Sequence, residues 1–405
     1  MSCPRKRSSK GGTTKMENAK KILKSNTRLL ILVAVYLFFC ITTKGGIFSS
    51  LNFSALIIQN AYVYILGCGM LMCMLTGGNI DLSCGSFICL LGSVGGVMMV
   101  VKQMNVGISI ITMLIIGIVY GCILGLLIAY VNIPPWIATL VGYLAFRGIG
   151  TSILSSNSST GSIAPFPQAY LKVFSGKLFE TPANKMNIPC IVIGIIAVAL
   201  VAASEIKNRN TKISKGYVHD SFGTMLAKIV VWGAVIMLFA YKLAFAGGIP
   251  TVLVWALAIV LIYAFITEKT TIGRYFYTIG GNKEATRLSG INTKKILFLA
   301  YLNMAVLTVI SAWTVIARFQ AANSTAGTNY EMDAISACVV GGVSAYGGKG
   351  TVFGVVIGAT IIGVINLGMS LMSIDANYQK VIKGVVLLAA VAFDIFSARA
   401  AAKKK

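Results

Sequence analysis

The residues able to carry chemistry sit in three short polar interruptions of an otherwise apolar chain. The first is Thr76-Gly77-Gly78-Asn79-Ile80-Asp81-Leu82-Ser83-Cys84-Gly85-Ser86. Asp81 followed by Ser83 matches a helix start, where a carboxylate and a hydroxyl satisfy free backbone N–H groups. Asp81 therefore has two readings, a structural cap or a group lining a path, with Asn79 and Ser83 as its neighbours. The second interruption is Gly341-Gly342-Val343-Ser344-Ala345-Tyr346-Gly347-Gly348-Lys349-Gly350, which also precedes an apolar helix. It echoes the first and hints at two related halves. The third runs from Gly273 to Lys295. Within it Asn282 can cap a short helix from Lys283 to Ser289, and Gly290 can end it. That helix reads either as a docking element or as a plain connector.

Other chemistry is excluded by residue supply. Gly347-Gly348-Lys349-Gly350-Thr351 lacks the Gly-Lys-Ser/Thr order of a phosphate loop, and apolar helix flanks it on both sides. The nine cysteines mostly lie inside apolar runs, at spacings that suit no zinc site, and His219 is the single histidine. An intramembrane enzyme would need a nucleophile, a metal set or paired acid–base groups. The chain is therefore expected not to be an enzyme, with no metal bound and no catalytic residues.

The elements that must hold these stretches follow from the solvent the chain implies. The sequence is 57% hydrophobic and 11% charged over 405 residues, against about a quarter charged in soluble domains. A span needs roughly 20 mostly apolar residues, and spans are expected at 28–44, 52–75, 82–101, 107–131, 134–154, 188–204, 226–245, 249–267, 295–316, 331–346, 351–372 and 379–397. The stretch opening on Glu331 and Asp333 is short and could be a half-helix beginning at the outer surface. Arg147 in the fifth span should face the bundle interior or the outer interface. The net charge of +24 is concentrated between apolar runs, with nine of the 35 Lys and Arg in the first 28 residues. That alternation fits cytoplasmic loops and not a nucleic-acid surface. It places both termini in the cytoplasm, and Lys403 to Lys405 agree. The N-terminal stretch is too long and polar for a cleaved signal. The expected domains are a basic tail at 1–28, a transmembrane domain at 29–397 and a basic tail at 398–405. Loop 155–187 lies outside on this topology and reads equally as a connector or as a docking surface.

Gly77 to Ser86, Pro135 to Gly148, Gly273 to Ile291 and Gly341 to Gly354 resemble, in order and spacing, the permease family of ribose, xylose and galactose importers of the ABC class. The resemblance covers about residues 45–397. An additional helix pair at about 188–245, with a basic loop between, makes the chain look more like the longer xylose or multiple-monosaccharide permeases. Asn79 is an extra residue between the glycine pair and Ile80. The resemblance implies an all-α polytopic membrane protein of about 10–12 transmembrane helices, some discontinuous, in a bacterial inner membrane. It implies ATP-driven import of a monosaccharide by alternating access. The cytoplasmic segment 268–295 then holds the coupling residues Gly280, Gly281, Asn282, Glu284, Ala285, Arg287 and Gly290, which would sit in a cleft of a separate ATPase subunit. ATP and magnesium belong to that subunit, and this chain is expected to bind no cofactor. An external sugar-binding protein and a second permease copy, most simply a homodimer, complete the expected partners beside the lipid bilayer. Candidate path residues are Asn60, Asn79, Asp81, Ser83, Asn303 and Asn366, each of which also reads as an interhelical hydrogen bond. A nucleoside or another small polar solute is the alternative cargo. An ion-coupled secondary transporter is the alternative class; it would keep acids inside its spans, and Asp81 and Asp394 are the only acids expected close to that description.

Overall fold

The computed structural model describes residues 27–182, 185–217 and 221–402, the last ten of these by backbone alone. The basic tail expected at 1–28, apart from Thr27 and Arg28, lies outside the described residues, as do His219 and Lys403 to Lys405; of Asp394 only the backbone is described. The helices are α1 (Thr27–Thr42), α2 (Ser50–Leu75), α3 (Cys84–Gly96, extended by a π turn to Val101), α4 (Val106–Ala129) and α5 (Pro135–Asn157). Next come α6 (Gln168–Phe174), α7 (Ile188–Ser214), α8 (Phe222–Phe245), α9 (Thr251–Lys269), α10 (Thr271–Gly281) and α11 (Lys283–Leu288). Finally come α12 (Thr293–Phe319), α13 (Tyr330–Val340), α14 (Val352–Leu371) and α15 (Ala376–Ala402). Among the described residues the only sheet is two short antiparallel ladders. β1 (Ser162–Ile163) pairs with β4 (Ala322–Asn323), and β2 (Lys177–Leu178) with β3 (Ile249–Pro250).

The chain is thus an all-α polytopic membrane protein, and helix occupies all twelve stretches expected to span. Nine helices among the described residues are long and apolar enough to cross a bilayer. α1, with 16 residues, is shorter. The stretch expected at 331–346 is helical only over the 11 residues of α13, about 16 Å at 1.5 Å per residue, roughly half a hydrocarbon core.

α2 is the axis of the bundle. Ser49 starts it by accepting from the Asn52 N–H at 3.2 Å, and α8, α9, α12, α13 and α14 pack around it. Lipid is as apolar as leucine, so close approach at small residues holds such helices together. α4 shows the device most clearly. Gly117, Gly121 and Gly125 recur every fourth residue and face α12; a Cβ there would lie 2.2 Å from Val309, 2.8 Å from Ala305 and 2.7 Å from Phe298. α7 and α8 pack mainly on one another, with Gly194 admitting Ala240, and most of their large apolar side chains point outward.

Loop 155–187 folds against the bundle. Phe166, Tyr170 and Phe174 are buried, the Tyr170 hydroxyl donates to the Trp313 carbonyl at 2.9 Å, and the two ladders tie its strands to β3 and β4.

Asp333 fixes the half-helix α13. It is 3% exposed, accepts from the Tyr62 hydroxyl of α2 at 2.5 Å and from the Lys383 ammonium of α15 at 2.9 Å, while Tyr62 stacks on Tyr330. Glu331 is equally buried, at 1% exposed. This corrects one expectation: Asp81 and Asp394 are not the only acids to weigh against ion coupling, since Glu331 and Asp333 are buried as well.

Removing one partner of a buried pair leaves an uncompensated charge. Lys383→Ala should lower stability by about 3 kcal/mol, the low end of the range for buried pairs because the lysine side chain keeps some exposure. Lys383→Met combined with Asp333→Asn should recover most of that loss, read as the thermal unfolding midpoint of the detergent-solubilised chain.

Candidate functional site

The three polar interruptions meet. α9 ends at Lys269 and Thr270 starts α10 by accepting from the Gly273 N–H at 3.1 Å. α10 buries Gly273, Phe276 and Ile279, one face at helical spacing, and so lies flat on the end of the bundle. Its last residues reach the breaks that follow α2 and α13. A Cβ at Gly280 would lie 1.9 Å from the Leu75 carbonyl oxygen and 2.3 Å from the Gly348 nitrogen. The same Gly348 N–H donates to the Leu75 carbonyl at 3.1 Å. Gly78, at φ +77°, leaves room for the Ala345 carbonyl 1.9 Å from where its Cβ would be, and Gly347, at φ +86°, does so for the Gly77 nitrogen at 2.5 Å. Both glycines combine a left-handed backbone with close approach, so no other residue suits either position. The Tyr277 hydroxyl donates to the Gly350 carbonyl at 2.9 Å. Burial pushes the Tyr277 phenol above its ordinary range, so it stays a neutral donor.

Beyond this junction the chain turns outward. Asn282 caps α11 by accepting from the Ala285 N–H at 2.9 Å, and Gly290 leaves it at φ +84°. Every residue of α11 except Thr286 is exposed, Leu288 to 78%. Glu284 and Arg287 pair at 3.0 Å with 69% and 62% side-chain exposure, a contact contributing well under about 1 kcal/mol. The helix presents a short mixed surface that nothing among the described residues covers. Beside it a cavity of about 480 Å³ opens between Thr76, Asn79, Asn132, Pro135, Gly280 and Asn282.

The expected path residues fall in separate places. Asp81 Oδ1 accepts from the Ser83 N–H at 2.8 Å and the Ser83 hydroxyl at 2.5 Å, and the Tyr120 hydroxyl donates to Ser83 Oγ at 2.6 Å. Asn79 Nδ2 donates to Thr76 Oγ1 at 2.9 Å. These three residues therefore share the start of α3 beside the junction. Asn60 donates to the Ala359 carbonyl at 2.7 Å, filling the space left by Gly363, and ties α2 to α14. Asn303 accepts from the Tyr263 hydroxyl between α12 and α9. Asn366 lies on α14 with Oδ1 unbonded. The groups that sequence reasoning did not connect are Tyr277, Gly347 and Gly348 with Gly280. Their only signal was a Gly-Gly pair in each interruption.

A family model described as branched-chain amino acid transport system, permease component, matches residues 52–391. The xylose transport system permease protein XylH of Haemophilus influenzae is 33% identical over 378 residues, covering 90% of this chain and 95% of the relative. The XylH of Escherichia coli is 32% identical over 374 residues, with 90% and 89% covered. The ribose import permease protein RbsC of Escherichia coli is 31% identical over 372 residues, with 92% of each chain covered. No solved structure matches the chain.

Two adjacent glycines separate close approach from mere flexibility. Gly281 has open space where a Cβ would go, so Gly281→Ala should leave the unfolding midpoint within about a degree. Gly280→Ala must push α10 off the Leu75 carbonyl and should cost about 2–3 kcal/mol, as overpacking does. It should also raise protease sensitivity within 271–290.

Proposed function

We propose, because the chain belongs to the family of branched-chain amino acid transport system permease components and its relatives are xylose and ribose permeases, that it is the membrane permease of an ATP-driven monosaccharide importer. The observation that carries the reading is the three-way backbone junction of Leu75, Gly280 and Gly348. It joins an exposed cytoplasmic helix to both helix breaks inside the bundle.

In this mechanism α11 seats in a cleft of a separate ATPase subunit, which holds the ATP and magnesium. Closure of paired ATPase subunits moves α10 and α11 together. The contacts of the junction run from backbone to backbone, so the displacement passes to the segments 76–83 and 341–350. The half-helix α13 and the start of α3 shift against their neighbours, and the path alternates between outward and inward access. A chain with one such helix works beside a second copy, which makes a homodimer the simplest assembly. An external sugar-binding protein delivers the cargo to the end of the bundle covered by loop 155–187. Both termini then lie in the cytoplasm of a bacterium, with the chain in its inner membrane. This chain supplies conformational change and no catalysis.

Gly290 tests the docking role. Its surroundings are open but its φ is +84°, so Gly290→Ala carries only the left-handed penalty of about 1–2 kcal/mol and should retain most ATP-dependent uptake. Gly290→Arg projects bulk and charge from the end of α11 toward the cleft. It should abolish uptake and ATPase co-purification while insertion in the membrane survives. Equal uptake by both variants would remove the coupling assignment. Uphill uptake by the chain without any ATPase would remove the ATP-driven reading.

A further inference from the structure

Two helices begin against one another. α3 starts at Cys84 and α13 at Tyr330. Where they meet, a Cβ on Gly85 would lie 2.1 Å from Glu331 Oε2 and 2.3 Å from the Gly327 carbonyl oxygen. Glu331 is 1% exposed, and its Oε2 has no hydrogen-bond partner. One turn further along α3, Cys89 lies against the Asn323 and Ser324 carbonyls. Arg147 of α5 reaches the same loop and donates Nη1 to the Ser324 and Ala326 carbonyls, each at 2.8 Å. Its other terminal nitrogen, Nη2, is buried and unbonded.

A carboxylate oxygen of α13 and a guanidinium nitrogen of α5 are thus left without hydrogen bonds beside α3 and the loop 323–327, and they do not satisfy each other. An unpaired buried charge is costly, and an ionisable group inside a membrane domain marks a functional site by default. We propose that Glu331 and Arg147 are the cargo-binding pair of the path, and that their ligand is a neutral polyhydroxylated ring. The proposal rests on the sugar-permease reading given above. A sugar hydroxyl both donates and accepts, so neighbouring hydroxyls can give to Oε2 and take from Nη2. The pair carries no net charge, which matches a neutral ring. A free anion would find the carboxylate repulsive, and a cation would find the same of the guanidinium. Gly85 is the position that lets the carboxylate reach the gap. Separation of the starts of α3 and α13 exposes the pair, and these are the elements the glycine junction moves.

The test uses the full chain co-reconstituted with its ATPase and binding protein in proteoliposomes, with labelled D-xylose and D-ribose taken up per ATP hydrolysed. Glu331→Gln should lower that ratio at least tenfold, and so should Arg147→Lys, which keeps the charge but loses the second donor. Glu331→Gln also removes a buried carboxyl whose Oε2 has no hydrogen bond, so its unfolding midpoint should equal or exceed that of the unaltered chain. A structural role predicts the reverse, a lowered midpoint, and that result overturns the proposal. A sugar-to-ATP ratio within twofold of the unaltered chain overturns it too. The two readings fail differently. Gly290→Arg disables ATPase docking and leaves the pair intact, whereas an unaltered chain that moves neither sugar with ATP present sinks the importer reading and this proposal together.

Discussion

A backbone N–H or C=O packed away from water must find a partner within the protein, and two helices of this bundle stop short against one another, at Leu75 and Val340. The backbone groups freed after them lie where a third segment packs across. They are satisfied by bringing three backbone segments together, with the Gly348 N–H on the Leu75 carbonyl and Gly280 packed over both. Only glycine permits that approach. The junction is therefore first a solution to a solvation problem. Its second consequence is mechanical, because backbone held against backbone has no rotamers with which to absorb a displacement.

The rest of the bundle divides around this requirement. α2, α12 and α14 are deeply buried and interlocked at small residues, as in the facing rows of α4 and α12. They form the frame against which something can move. α13 is short, lies between the second break and the loop before it, and is held from the side by Asp333 through Tyr62 and Lys383. It also packs along α2 and α14, where Cys338 meets the Gly67 carbonyl and Gly358 admits the Ala337 carbonyl, so a displacement of the break reaches these neighbours as well. Glu331, two residues from Asp333, contrasts with it. One acid is fully partnered and fixes position; the other is left open.

Much of the architecture was legible from hydropathy, since long apolar runs between basic clusters have no other solution. The cap at Asn282 and the exit at Gly290 were legible as well, because local chemistry determines both. The meeting of Gly280 with Leu75 and Gly348 was not, since each interruption announces a backbone irregularity but says nothing of which irregularities touch. The asparagines illustrate the same limit. Asn60 and Asn79 are alike in the sequence, yet one bridges two helices through the Ala359 carbonyl and the other closes a local turn on Thr76. Glu331 and Asp333 were misplaced because acids at the start of a short helix look like surface caps. Only the loop before the helix, α2 and α3 reveal that both side chains are buried.

That misplacement bears on the choice between driving forces. A scarcity of buried acids would have spoken against ion coupling, and the scarcity is less than the sequence suggested. The argument for an external motor therefore rests on the other end of the molecule. An ion-driven carrier binds its driving ion within the membrane and has no use for a short, bare helix outside it. Here α11 contributes almost nothing to the bundle: its one ion pair is exposed, its leucine is uncovered, and its only firm attachment is through α10 to the glycine junction. An element that stabilises so little, yet is tied without slack to both helix breaks, is the feature on which the proposed docking of an ATPase rests.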